Sequence, residues 1–278
     1  TWAALEEEQR RRVLRGRGAA HDAREQLHPL ALEGDINAVE RGSKQRHGPH
    51  AIPPLALGAV TQPLFFHSQH NPAHGGIPVV APWFAQTLGE QMHGWATSLE
   101  WQHDGDTMRV SHDNFHLVFR SQLDDARSRF ELTITNGATT PRPVQIALHP
   151  YWACDAATAE LSGVQGSRFL DKTDGELKTV EGPLRFGNET DAVIAGATSA
   201  VLRDATRELT FTCTGTDHLV VWNPGPDVCR DAEDLGDDDW AHFVCVEPAL
   251  LGEDRRGVTL IPGASASIAL EVAVAALP

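Results

Sequence analysis

The chain has 278 residues, 41% hydrophobic and 22% charged, a globular composition with enough apolar material for a substantial core. Its formal charge is −15; the first fifty residues carry nine Lys/Arg against eight Asp/Glu, so the remainder holds 23 − 9 = 14 cations against 38 − 8 = 30 anions. An acidic body of this kind argues against nucleic acid and membrane surfaces as partners, because phosphate contacts need clustered cations.

In chain order, residues 3–15 (AALEEEQRRRVLR) set Glu against Arg at helical spacing and predict a helix. Residues 16–60 mix Arg, His, Gly, Pro and Ala without clear periodicity, so residues 1–60 form a divergent or partly irregular region. After about residue 75, short alternating runs recur between turn residues. MRVSHDN and FHLVFRSQL predict a hairpin, FELTITN a strand, and NGATTPRP a turn. VQIALHPYW, LTFTCTG, HLVVWNP, HFVCVEPAL, GVTLIPG and SIALEVAVA follow as strands, the last with Ile268, Leu270, Val272 and Val274 on one face. Many short strands with Gly/Pro/Asn/Asp turns predict an all-β sandwich or barrel. Without an internal repeat or linker, one domain over 1–278 is the expectation. No apolar run approaches 18 residues and no signal-peptide pattern stands out. Cys154, Cys213, Cys229 and Cys245 show no C-x-x-C spacing. Free thiols in a cytoplasmic protein are therefore expected.

Two titratable residues precede prolines at the ends of apolar runs: His149 in ALHPYW and Glu247 in CVEPA. Proline restricts the residue before it to extended angles, which fixes where each side chain points. A carboxylate and an imidazole can act as base and acid, although each taken alone reads as an ordinary strand terminus. Trp83 and Phe84, in HGGIPVVAPWFAQ, can line a sugar site or fill core. His103, His112 and His116 suggest a metal, and His112 and His116 would share a face on one strand, but no carboxylate–histidine signature accompanies them. The acidic run DAEDLGDDDW departs from the calcium-loop pattern and reads as a solvated loop. No metal is expected.

HGGIPVVAPWFAQ, QMHGWATSLEW, ALHPYW, GSRFLDK, VVWNPGP and GDDDWAHFVCVEPA together, and in this order, resemble the hexose-6-phosphate 1-epimerase branch of the aldose 1-epimerase superfamily. The resemblance implies a galactose-mutarotase-like large antiparallel β-sandwich, a sugar or sugar phosphate as ligand, no cofactor and a monomer. It implies Glu247 as the base at the C1 hydroxyl and His149 as the acid at the ring oxygen. His93 in MHGWAT matches a substrate-binding histidine, and Asp171 in RFLDK a sugar-hydroxyl ligand. His74 and Thr97 stand where the family pattern has phosphate-binding arginines. The alternative is a non-catalytic carbohydrate-binding or regulatory protein on the same fold.

Overall fold

The computed structural model describes residues 64–71, 73–124 and 126–277. The helix expected over 3–15 and the irregular segment to residue 60 lie outside the described residues. Two large sheets pack face to face. One has nine strands; at its centre Arg207–Thr214, Ser265–Ala276, Arg127–Asn136 and Phe115–Gln122 run in antiparallel succession. The other has eight strands, with Phe243–Leu250 between His218–Asn223 on one side and Ile146–Leu148 and Tyr151–Ala153 on the other. Strand Val258–Leu260 pairs with Arg142–Val144 in a separate two-stranded sheet.

Alternation places the core. In Arg127–Asn136, Phe130, Leu132 and Ile134 are fully buried, while Arg129 and Glu131 on the outer face meet Glu271 and Arg120 in surface ion pairs. The inner face meets Leu148, Trp152, Leu219, Val221, Val244 and Val246 of the other sheet. Trp152 sits at the seam, its ring 4.9 Å from Phe211 and 5.0 Å from Phe65. The hairpin at 107–122 forms as its sequence predicts, and Asp113 and Asn114 turn it with φ of 48° and 58°, the conformation two-residue hairpin loops favour. That turn separates His112 and His116 onto different strands, so they do not share one strand face. The four cysteines are free and buried. Among the described residues, no helix is long and apolar enough to cross a membrane.

Two strands depart from their sequence reading. VQIALHPYW is not one strand: Gln145 lies between two strands that join different sheets, and His149–Pro150 interrupts the run again. Its polar positions are not solvent-facing either. Gln145 is fully buried; its carbonyl accepts the Phe84 N–H at 2.9 Å and its amide donates to the Leu251 and Arg255 carbonyls at 3.2 and 2.8 Å. HFVCVEPAL likewise runs on past Glu247 to Leu250, so Glu247 lies inside a central strand and not at its end.

Candidate active site

Register explains how residues 98 positions apart meet. Ala147 pairs with Ala249 and Tyr151 with Cys245. Counting inward from both pairs sets His149 across from Glu247. Pro150 and Pro248 lack the N–H that would continue the ladder at this level. The His149 N–H donates instead to the Pro78 carbonyl at 2.9 Å. Opposed residues of antiparallel strands project to the same face, here the face turned away from the second sheet. The same rule brings Val220, and one step along Trp222 and Asp191, to that face.

These residues line a cavity of about 670 Å³, with His74, Phe84, His93, Thr97, Tyr151 and Lys172 around it. That volume falls within the range of small-molecule sites, roughly 300–1,000 Å³. His149 Nε2 lies 3.5 Å from Glu247 Oε1. Glu247 is 1% exposed, and its Oε2 has no hydrogen-bond partner. Burial, with Asp191 nearby, pushes the Glu247 carboxyl well above its ordinary range. Burial, with His93 nearby, pushes His149 well below its own. The Tyr151 ring stacks on His149 at 5.0 Å and 17°, and Trp222 meets His149 edge-on at 5.9 Å.

His93 is held in a left-handed turn at φ 60°. Its N–H donates to the Ala85 carbonyl at 2.7 Å, and the neighbouring Trp95 N–H to the Ala81 carbonyl at 3.0 Å. Gly94 makes the strap possible, since a Cβ there would collide with the Ala81 backbone. The Ala85 N–H points at His93 Nδ1 at 3.3 Å, so the neutral ring carries its proton on Nε2. Burial and the Lys172 charge lower His93 to about 4, so the ring is neutral near neutral pH.

Of the other residues singled out from the sequence, Thr97 lies at the cavity on the Ala96–Ser98 turn. His74 is engaged: Nδ1 meets the Tyr151 hydroxyl at 2.9 Å, and Nε2 meets Asp234 Oδ2 at 2.8 Å. Asp234 belongs to the acidic run read as a solvated loop; it is half exposed and still reaches the site. Trp83 is not at the cavity; its indole N–H donates to the Gln91 carbonyl, and its ring packs on Gly89. Asp171 is not brought in either. It shares the parity of Ala192 and Val221, the face turned toward the core, and it pairs with Lys178 at 2.6 Å. Its neighbour Lys172 reaches the cavity, paired with Asp191 at 2.8 Å. Sequence reasoning missed Tyr151, Lys172, Asp191 and Trp222. The first two carried a signal: Tyr151 shares the parity of His149, and Lys172 follows Asp171. A group able to hold a metal among the described residues is His149, Cys245 and Glu247, its donor atoms within 4.8 Å of one another.

The aldose 1-epimerase family model matches residues 60–272. A Salmonella typhimurium protein named "Putative glucose-6-phosphate 1-epimerase" is 31% identical over 199 residues, 62% of this chain and 66% of that protein. An Escherichia coli protein of the same name is 29% identical over 208 residues, 66% of this chain and 69% of that protein. The chain therefore spans just under two thirds of the Salmonella relative's length. The crystal structure of a "putative mutarotase (YeaD)" from Salmonella typhimurium superposes with a TM-score of 0.67 at 25% identity, covering 77% of this chain and 80% of that one. Galactose 1-epimerase from Lactobacillus acidophilus shares the fold at a TM-score of 0.52 and 14% identity, covering 72% and 77%. The all-β, galactose-mutarotase-like sandwich expected from the sequence is the fold observed.

Proposed function

This chain belongs to the aldose 1-epimerase family, and we propose that it interconverts the α and β anomers of an aldose by acid–base ring opening across His149 and Glu247. The pair itself carries this reading: fully buried Glu247 and largely buried His149, 3.5 Å apart, sit at a sugar-sized cavity, and one carboxylate oxygen has no partner. Burying such a group unsatisfied costs free energy that a mere binding surface has no reason to bear.

The chemistry needs one proton on the pair. Glu247 takes the proton from the C1 hydroxyl as the C1–ring-oxygen bond breaks and the C1 carbonyl forms. His149 gives a proton to the departing ring oxygen. The open-chain aldehyde turns about its C1–C2 bond, and closure on the other face returns both protons. The pair's proton count is unchanged at every stage. A neutral acid beside a neutral imidazole holds as many protons as a carboxylate beside an imidazolium, so burial does not disarm the pair. His93, with its proton on Nε2, donates a hydrogen bond to a sugar oxygen. Thr97 and the Lys172–Asp191 pair offer further polar contacts. Trp222 and Tyr151 supply an aromatic wall.

Among the described cavity residues, Lys172 is the only Lys or Arg, and Asp191 already neutralises it. A 6-phosphate would have to draw Lys172 away from that partner. Exchange NMR on glucose, galactose and glucose 6-phosphate in parallel tests chemistry and phosphate dependence together. Acceleration is expected for at least one free hexose, and Glu247→Gln is expected to abolish it with the fold intact. A fully active Glu247→Gln protein would remove the reading. Sugar binding without acceleration would favour a carbohydrate-binding role.

A further inference from the structure

We propose that His149, Cys245 and Glu247 form a binding site for a thiophilic divalent cation of the zinc class, and that a cation held there closes the sugar site. The binding half stands on the three side chains alone; the inhibitory half rests on the anomer-exchange reading above.

The sheet builds this group without any loop having to move. Cys245 and Glu247 lie two residues apart on one strand and so project to the same face, and His149 lies across from Glu247. One histidine nitrogen, the Cys245 sulfur and a carboxylate oxygen all fall within 4.8 Å of one another, and all three side chains are buried. Tetrahedral zinc, with bonds of about 2.0–2.3 Å, spaces its donors roughly 3.3–3.7 Å apart. No donor pair lies more than about 1.5 Å beyond that spacing, and His149 Nε2 and Glu247 Oε1 are already 3.5 Å apart. Glu247 Oε2, fully buried and without a partner, is a lone pair available to such an ion.

The donor set is selective. Imidazole and thiolate suit zinc, cobalt and their neighbours, whereas calcium and magnesium seek several oxygens. A single carboxylate offers those hard ions too little. His149 and Glu247 line the cavity while Cys245 is fully buried, so an ion held by all three would lie at the cavity floor. Binding as a thiolate releases the Cys245 proton. A bound cation occupies the lone pairs of both the base and the acid, and anomer exchange stops.

Cobalt(II) and zinc(II) chloride added to the full chain test this. The expected result is a thiolate-to-cobalt charge-transfer band in wild type, absent from Cys245→Ala and retained in Cys154→Ala. Zinc is expected to suppress anomer exchange in wild type, with reversal by a chelator. Scaled to each protein's own metal-free rate, zinc should be at least roughly tenfold less potent against Cys245→Ala. Should alanine disturb the fold, Cys245→Ser supplies the same comparison. No cobalt band in wild type, or equal zinc sensitivity with and without the thiol, overturns the proposal. If the chain shows no anomer exchange at all, the cobalt band and its loss in Cys245→Ala still decide the site.

Discussion

The nine-stranded sheet shows one face to the core and the other to solvent. In Arg127–Asn136 buried and less buried positions alternate along ten residues, and the outer face carries Arg129, Glu131, Thr133 and Thr135. The eight-stranded sheet has no such rhythm at its centre. Phe243–Val246 and Glu247–Ala249 are buried on both faces, and so are all three residues of Ile146–Leu148. Its second face is covered because it floors the cavity. There the polar residues are not surface decoration. They are few and line the cavity: His149 and Glu247, which burial desolvates, and the more exposed pair Lys172 and Asp191. Loss of alternation in this central strand thus coincides with the cavity that the sheet floors.

The comparison breaks most sharply at Glu247. Glu247→Gln should lower the rate of anomer exchange by about 10²–10⁴-fold, the span attributed to acid–base groups, read by saturation-transfer NMR. Its unfolding free energy should not fall, because Gln replaces a buried carboxyl with an unpartnered oxygen. Wild-type activity should also hold a broad plateau in pH. The lowered His149 delays the gain of a second proton on the acid side, and the raised Glu247 delays loss of the only proton on the alkaline side. A narrow optimum would mean the two groups are not coupled. On the opposite face of the same strands the expectation reverses. Trp152→Ala, at the seam between the sheets, should cost about 3–5 kcal/mol of stability in a denaturant melt. Activity per folded molecule should change far less than for Glu247→Gln.

How much of this was legible follows the same division. FELTITN, LTFTCTG and SIALEVAVA announce their strands and buried faces, because one side faces water and the period of two survives. VQIALHPYW and HFVCVEPAL mislead on detail, because burial of both faces erases the contrast between them. The strands at Arg168–Asp171, Glu176–Thr179 and Thr190–Ala195 gave no comparable signal; Glu176–Thr179 is exposed throughout and carries no apolar period. His149 and Glu247 were visible through the prolines that follow them. Asp191 and Trp222 were not, because only register across three strands puts them beside His149. The motif RFLDK names a segment and not a face, so it points to Asp171 where Lys172 is the residue at the cavity.

Gln145 sharpens the contrast at an intermediate scale. It is a polar residue in a fully buried stretch, yet it serves structure, holding the Phe84 N–H and the carbonyls of Leu251 and Arg255. Gln145→Ala leaves those groups without that partner and should cost about 1–3 kcal/mol, measured by urea unfolding. It should also raise KM, since Phe84 lines the cavity.

The most gradual effect belongs to His93, and it is read in pH. The folded state holds His93 at about 4 against 6.5 for a free, solvated side chain. Between those values the unfolded chain binds the proton and the folded chain refuses it. Stability from this group is therefore complete above pH 6.5 and is lost as pH falls toward 4. The slope it contributes is up to about 1.4 kcal/mol per pH unit. His149, lowered for the same reason, adds to it in the same direction, whereas raised Glu247 acts oppositely, its contribution lost as pH rises. His93→Asn keeps a residue that tolerates the left-handed turn and removes the titration. Urea melts across this window should show a flatter acid slope for the variant than for wild type, with part of the slope surviving through His149. An unchanged slope would place His93 in water and not against the cavity wall.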